Sequence, residues 1–407
     1  MPVRYRVAAH SVPPSGVASG IRRSRRSAPP PVPPSTITML LLASDPRIVL
    51  TLDAGGSSFR FSARRGRERI TELVTLPTDG DDLTRCLANL IEGFTHVRAH
   101  CPEPPVAISF AFPGPADYRA GIIGDLTNLP AFRGGVALGP MLEARFNLPV
   151  FINNDGDLFA YGEATAGFLP WVNDQLAAAG SPRRFENLVG VTLGTGFGGG
   201  IVRRGELLAG DNSMAAEICM LRNKRDPQWN AEEGASIRAV RRAYAERAGI
   251  PFADAPNPRE IEEIALGKRP GDASAAAEAY RRLGEVVGDA LAQTLTLVDG
   301  LAVVGGGLSA AGPLYLPALV AELNGTYTTP DGGTRRRLVQ QAFNLEEAAQ
   351  LGAFVRGATH EIAVPGTDRR IAYDPLARIG VGVSRLGTSE AIALGAHALA
   401  LQQLDRR

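Results

Sequence analysis

The positions of apolar and polar residues along the chain predict alternating strands and helices. Short β-branched runs bounded by glycine, proline or asparagine are typical of strands, and they include RIVLTLD, VAISFAF, PVFIN, NLVGVTL and LAVV. Apolar residues recur at helical spacing from Asp79 to Val97, with Thr78 or Asp79 as the expected N-cap, and again from Leu283 to Leu295. A closing helix is predicted with Ser389 as its N-cap. The chain is therefore expected to be an α/β protein.

One arrangement of elements occurs twice. The segments VLTLDAGGSSFRFSARRGR (49–67) and GVTLGTGFGGGIVRRGE (190–206) each combine a strand, a glycine-rich turn, a second strand and an RRG turn. The two segments are separated by about 140 residues, a spacing that indicates two similar α/β halves facing a common cleft. A chance likeness between two glycine hairpins is the alternative.

Composition and charge narrow the function classes. The 407 residues are 44% hydrophobic and carry a formal net charge of +1, so the overall charge does not favour nucleic acid or a membrane surface as a partner. No apolar run reaches the roughly 20 residues that cross a bilayer. Three cysteines without a pairing pattern favour a reducing, cytoplasmic compartment over a disulfide scaffold.

The first 44 residues differ from the rest of the chain. They contain no aspartate or glutamate and carry RRSRR and APPPVPPS. Proline and arginine cannot build a core, so residues 1–44 are predicted to be a disordered tail.

Three glycine-rich turns follow predicted strands and are candidate phosphate-binding elements. They are DAGGSS (53–58), GTGFGGG (194–200) and GGG (305–307). Backbone N–H groups in such turns can bind anions, although each turn taken alone could also be purely structural. The second turn matches GxGxxG, but a predicted strand rather than a helix follows it, which argues against a dinucleotide site.

A strand-end motif supplies a candidate catalytic carboxylate. INNDGD (152–157) follows a strand and precedes a predicted helix. A carboxylate at such a strand end can accept a proton from a substrate hydroxyl, and Asp155 suits that role. Asp157 is expected to cap the helix instead, and a capping role for both aspartates is the alternative.

Taken together, five motifs resemble the ROK family of sugar kinases within the actin-like ATPase superfamily. They are DAGGSSFR, PGPAD (113–117), NDGDLFAYGEA (154–164), GTGFGGG and DGLAVVGGGLSAAG (299–312), and the resemblance covers roughly residues 47–325. It implies duplicated actin-like (ribonuclease H-like) α/β domains around a central cleft. It also implies ATP-dependent phosphorylation of a hexose hydroxyl, with Mg²⁺ as cofactor and a possible homodimer.

The same resemblance implies roles for individual residues. Asp155 is the expected catalytic base, and Asp53 is expected near Mg²⁺. The expected sugar-binding residues are Asn128, Asn154, Glu217 and Glu232, although Glu232 could instead be a solvated acid at a helix N-terminus. The expected nucleotide-binding residues are Gly55, Gly56, Ser57, Thr195, Gly196, Gly198, Gly199, Gly305, Gly306 and Gly307.

The sequence departs from the family pattern where most members carry a histidine and a cysteine-rich zinc motif. Met220 stands at the histidine position, and Cys219 is the only cysteine after Cys101. A tetrahedral zinc site usually takes four ligands, so no structural zinc is expected. The loop RNKRDPQW is expected to replace the zinc clip with ion pairs and packing of Trp229.

Three function classes follow from these observations. A glucokinase-like hexose kinase is favoured, with other hexoses or N-acetylhexosamines as alternative substrates. A catalytically lapsed sugar-binding protein is a second class, favoured by the altered sugar loop and opposed by the intact glycine turns. A sugar-responsive transcription regulator would need an N-terminal helix-turn-helix, which the Pro/Arg tail does not predict.

Two α/β domains are expected, one on each side of the central cleft that the resemblance implies. Residues 45–155, together with the last helix (388–407), are expected to form an N-terminal α/β domain, and residues 156–387 a larger C-terminal one. Residues 325–385 fit the family poorly, and NGTYTTPDGGTRRRLVQ within them is expected to form an inserted loop or hairpin.

Overall fold

The structure is a computed structural model that describes residues 45–124 and 129–407. The predicted disordered tail and Asn128 lie outside the described residues. The helices of the described residues are α1 (Leu83–Ala99), α2 (Leu138–Phe146), α3 (Asp155–Thr165), α4 (Phe168–Ala178), α5 (Ile237–Ala248), α6 (Pro258–Ala265), α7 (Ala273–Val298), α8 (Gly312–Leu323), α9 (Ala348–Arg356) and α10 (Thr388–Asp405).

The strands divide among two larger sheets and three short hairpins. They are β1 (Ile48–Ala54), β2 (Ser58–Arg65), β3 (Glu68–Arg69), β4 (Val74–Pro77), β5 (Ala107–Ala111), β6 (Ala116–Asp117), β7 (Ile122–Ile123), β8 (Val150–Asn153), β9 (Asn187–Leu193), β10 (Phe197–Arg203), β11 (Glu206–Leu207), β12 (Leu301–Gly305), β13 (Thr326–Thr328), β14 (Thr334–Arg336), β15 (Gln341–Asn344), β16 (His360–Ala363), β17 (Arg370–Tyr373) and β18 (Arg378–Val383). The pairs β6–β7, β13–β14 and β16–β17 form the hairpins.

The two larger sheets repeat one arrangement. The first has the order β3-β2-β1-β5-β8, with β4 also on β2, and the second has the order β11-β10-β9-β12-β18-β15. In each sheet a glycine turn joins an antiparallel pair, β1–β2 or β9–β10, and parallel strands continue on the other side. The predicted duplication of α/β halves is therefore confirmed.

Two helices pack together between the strands that carry the glycine turns. Helix α3 lies against β9 and β10, α10 lies against β1 and β5, and the two helices contact each other. Glycine allows the close approach, because a Cβ on Gly162 of α3 or on Gly395 of α10 would overlap backbone of the facing helix. The division into domains at residue 155 stays a prediction.

Three helix starts differ from the sequence expectation. Helix α1 begins later than expected because Asp82, not Thr78 or Asp79, accepts the capping bond, from the N–H of Arg85. Asn154, not Asp157, caps α3. Helix α10 already includes Ser389, its predicted N-cap, and follows Gly387.

The segment 325–385 combines an insertion with part of the core. The expected hairpin at its start is confirmed as β13–β14, and a second exposed hairpin, β16–β17, follows. Between and after the hairpins, β15 and β18 extend the second sheet by parallel pairing. Residues 325–385 resemble the family motifs poorly, yet they contain two strands of the second sheet as well as the exposed hairpins.

Candidate active site

A cavity of about 710 Å³ brings many of the predicted site residues together. Nine of them line it: Asn154, Asp155, Thr195, Gly196, Gly198, Gly199, Glu217, Glu232 and Gly306. Its wall also includes residues to which the sequence assigned no role, among them Tyr118, Thr192, Cys219, Met220 and Thr388. The first glycine turn, Asp53, Gly305 and Gly307 do not line this cavity.

Asp155 reaches the cavity because it is the first residue of α3. Strand β8 ends at Asn153, and the side-chain oxygen of Asn154 accepts a hydrogen bond from the N–H of Asp157 at 2.6 Å, which fixes the helix start. The Asp155 carboxylate accepts a bond from the N–H of Gly156 at 2.9 Å. It is open to solvent on the cavity side. A carboxylate held at a strand end in this way can act as a proton acceptor.

Carboxylates crowd this part of the structure, and they contribute to the raised pKa values of Asp157 and Tyr118. Close packing of protein around Asp155 raises its pKa above the usual value, although the backbone bond from Gly156 opposes the shift. Burial raises the pKa of Asp157 to about 8, with contributions from Glu217 and Asp155. Burial also raises the pKa of Tyr118, and the same three carboxylates add to that shift.

The second glycine turn lies beside Asp155 because its glycines admit the start of α3. A Cβ on Gly156 would lie 2.6 Å from the carbonyl oxygen of Gly199, and one on Gly200 would lie 2.6 Å from that of Gly156. Gly198 and Gly199 stand in β10, whereas Thr195 and Gly196 form the turn itself. Helix packing therefore accounts for part of the glycine density of GTGFGGG.

The third glycine turn connects to the last helix. Gly306 has φ of 87°, where a side chain would be strained and would overlap the backbone of Leu193. Its N–H donates to the hydroxyl of Thr388 at 2.8 Å, at the first residue of α10. This bond joins the cavity wall to the helix that packs on the first sheet.

The first glycine turn holds Asp53 at the end of β1. Arg60 on β2 bonds to the Asp53 carboxylate at 2.6 Å, and both side chains are partly exposed. The hydroxyl of Thr78 donates to the carbonyl of Gly55 at 2.6 Å. A single carboxylate beside phosphate oxygens and water is a common way to hold Mg²⁺, so Asp53 suits that ion in donor type.

Glu217, Cys219 and Met220 also line the cavity. The thiol of Cys219 donates to the Glu217 carboxylate at 3.4 Å. Burial raises the pKa of this thiol to about 12, with Glu217 adding to the effect, so Cys219 stays protonated. Met220 is 69% exposed and presents a thioether at the position where the resemblance implies a histidine.

Glu232 is tied to the second glycine turn. One carboxylate oxygen accepts a bond from the N–H of Phe197 at 3.1 Å, and the other pairs with Arg238 at 2.7 Å. The neighbouring Glu233 pairs with Arg238 and Arg242, which lower its pKa to about 2. Glu232 is thus anchored by the fold instead of being a freely solvated acid.

The loop between the two glutamates is held by side-chain contacts. Arg225 pairs with Glu285 at 2.6 Å, Lys224 pairs with Glu322, and Arg242 lies 5.0 Å from the ring centre of Trp229. The side-chain oxygen of Asn223 accepts a bond from the N–H of Arg225. Within residues 45–124 and 129–407, no group of three or more histidine, cysteine or acidic side chains could hold a metal ion.

Among the helices of residues 45–124 and 129–407, none combines the length and apolarity of a membrane span.

Comparison with known proteins gives a consistent result. The sequence model of the ROK family matches residues 49–356. The glucokinase of Streptomyces coelicolor is 29% identical over 289 residues, which cover 66% of this chain and 84% of that protein. The N-acetyl-D-glucosamine kinase of Photobacterium profundum is 31% identical over 293 residues, which cover 66% and 88%.

Among solved structures, the glucokinase of Parabacteroides distasonis is 54% identical and has a TM-score of 0.82. The alignment covers 89% of this chain and 99% of that one.

Proposed function

The chain belongs to the ROK family and is an ATP-dependent sugar kinase, and from that premise we propose that it phosphorylates a hexose hydroxyl with Asp155 as the general base. The observation that carries this proposal is the position of Asp155. Its carboxylate is at the start of α3, beside the glycine turn and in the same cavity as Glu217 and Glu232. Glucose is the first candidate substrate, since relatives named as glucokinases match most of the chain. N-acetylglucosamine is the second.

The proposed mechanism assigns each step to residues of the cavity. Glu217, Glu232 and Asn154 orient the sugar, and Asp155 accepts the proton of its attacking hydroxyl. That oxygen bonds to the γ-phosphorus of ATP while the bond to the β–γ bridging oxygen breaks, and ADP leaves. N–H groups of the second glycine turn stabilise negative charge on the phosphates. Mg²⁺ when bound neutralises phosphate charge, and Asp53 is the residue proposed to hold it.

A coupled assay of ADP release across hexoses, comparing wild type with Asp155→Ala, tests the proposal. We expect turnover with one or more hexoses, and a loss of at least about 100-fold in kcat for Asp155→Ala, because a general base contributes about that much or more. Turnover that survives the substitution would overturn the assignment of Asp155. Absence of turnover on every sugar would favour the catalytically lapsed class.

The proposal includes partners and compartment. Sugar and ATP are the proposed small-molecule partners, without nucleic acid or membrane, and the family resemblance suggests a homodimer that light scattering can test. The three free cysteines and the use of ATP support a cytoplasmic location.

The proposal also holds that the loop 222–229 needs no structural zinc. The ion pairs of Lys224 and Arg225 and the stacking of Arg242 on Trp229 support this, since they hold the segment by other means.

A further inference from the structure

Arg238 connects the sugar-side carboxylate to the second glycine turn. Its guanidinium donates to the carboxylate of Glu232 at 2.7 Å and to the carbonyl oxygen of Thr195 at 3.2 Å. It also donates twice to Glu233, at 2.6 and 3.0 Å. One side chain thus contacts two residues of the cavity wall that lie on different elements.

Backbone contacts join the same two segments. The N–H of Ile237 donates to the carbonyl oxygen of Gly194 at 2.8 Å, and the Glu232 carboxylate accepts from Phe197. A Cβ on Gly196 would lie 2.7 Å from that carboxylate. The turn and the segment 232–238 therefore share one hydrogen-bonded network, in which Arg238 supplies the charged member.

This network fixes the direction of N–H groups in the turn. In a planar trans peptide the N–H points opposite to the C=O. Because Arg238 holds the carbonyl of Thr195, and Ile237 holds that of Gly194, the N–H groups of Gly196 and Thr195 point away from segment 232–238. Consecutive N–H groups presented this way can bind a phosphate oxygen.

We propose that Arg238 is a positioning residue that couples sugar binding at Glu232 to nucleotide binding at the turn 194–196, so that each ligand strengthens the binding of the other. The inference rests on the proposed kinase function. A sugar hydroxyl that donates to Glu232 restricts this carboxylate and, through the guanidinium, the Thr195 peptide. A nucleotide phosphate on the turn restricts the same network from the other side. The second ligand to bind therefore loses less conformational entropy than the first.

Arginine suits this position because its planar fork carries five donors. It can contact a carboxylate and a carbonyl at once, whereas the single ammonium of lysine cannot reproduce that bridge. Arg238→Met keeps the aliphatic stem and removes every donor, and Arg238→Lys keeps the charge and an ammonium donor group but loses the planar fork. Arg242→Met is the matched control, because within the described contacts Arg242 pairs with Glu233 but not with Glu232 or Thr195.

Isothermal titration measures the coupling directly. The dissociation constant of a non-hydrolysable ATP analogue with Mg²⁺ is determined with and without saturating sugar, using glucose or whichever hexose the coupled assay identifies as substrate. Reciprocal linkage requires the same factor when sugar is titrated with and without nucleotide. We expect sugar to tighten nucleotide binding about 5-fold or more in wild type and in Arg242→Met, a typical coupling. In Arg238→Met and Arg238→Lys the factor should fall to below about 2-fold.

The outcomes separate this inference from the function on which it rests. A wild type that binds no nucleotide analogue contradicts both. A wild type that binds both ligands independently, or an Arg238→Met variant with the wild-type coupling factor, overturns only the role of Arg238. An equally large fall of the coupling factor in Arg242→Met would also overturn the role of Arg238, because the effect would then arise from general loosening around Glu233.

Discussion

Asp157, two residues after Asp155 in α3, has a pKa far above that of a free carboxyl. It is 2% exposed, and its Oδ1 atom has no hydrogen-bond partner among the described residues. Burial, with Glu217 and Asp155 nearby, raises its pKa from 3.8 to about 8. Folded protein therefore keeps a proton on Asp157 at pH values where the unfolded chain has lost it.

This difference predicts a pH dependence of stability. A raised folded pKa contributes stability that is complete below about pH 4 and is lost as pH rises towards about 8. Asp157→Asn cannot titrate, so between pH 5 and 7 its free energy of unfolding should fall less steeply than that of wild type, by about 1.4 kcal/mol per pH unit. Urea denaturation at pH 5, 6 and 7 measures both slopes. Identical slopes for wild type and Asp157→Asn would contradict the raised pKa of Asp157. Asp368→Asn, in an exposed hairpin turn, is the surface control.

Sequence reasoning found some residues of the cavity and missed others for a physical reason. Asp155 could be predicted because a strand end and a helix start are both local patterns. The role of Arg238 could not, because its contact with Thr195 joins positions 43 apart in the chain. Burial of Asp157 also depends on elements distant in sequence. The sequence therefore predicted Asp157 as the N-cap of α3, a position that Asn154 occupies.

At the scale of elements, the packing of α3 on α10 depends on two glycines. A Cβ on Gly395 would overlap the carbonyl of Leu158, which is backbone and cannot move aside alone. Gly395→Ala should therefore destabilise the protein by about 1–3 kcal/mol, the usual cost of overpacking. Denaturation midpoints measure the change.

Gly352→Ala in α9 is the matched control. A Cβ there would meet only the end of the flexible Arg356 side chain, at 3.4 Å. Because alanine favours helix over glycine, this variant should be neutral or more stable by up to about 1 kcal/mol. A Gly395→Ala variant as stable as Gly352→Ala would contradict the account of the α3–α10 contact.

The loop 222–229 yields a prediction about metal. Because ion pairs and the Trp229 contact hold it, purified protein should contain far less than one zinc per chain, and a chelator should leave Tm unchanged. Elemental analysis and thermal denaturation check both statements. Stoichiometric zinc, or a fall in Tm on chelation, would contradict this account of the loop.

Strands and helices could be predicted from the sequence where the local pattern of apolar residues and glycines was strong. Strand β9 begins and ends where its apolar run predicted, and the repeated glycine hairpins are β1–β2 and β9–β10. Helix starts were less predictable because several capping residues stand close together, such as Thr78, Asp79 and Asp82, and tertiary contacts decide which one caps.

At the scale of the whole molecule, the fold class followed from one internal repeat and five motifs. The contributions of β15 and β18 to the second sheet could not be predicted, because the exposed hairpins β13–β14 and β16–β17 obscure the pattern around them. The cavity lies where α3, the second glycine turn and the loop with Glu217 meet. It contains Asp155, Glu217 and Glu232, to which the proposed mechanism assigns roles.

The most direct test of that account is mass spectrometry of the products formed from glucose or N-acetylglucosamine with ATP and Mg²⁺. The account predicts a monophosphorylated sugar that accumulates in equal amount with ADP. ADP and free phosphate without sugar phosphate, or unchanged reactants with every hexose tested, would contradict it.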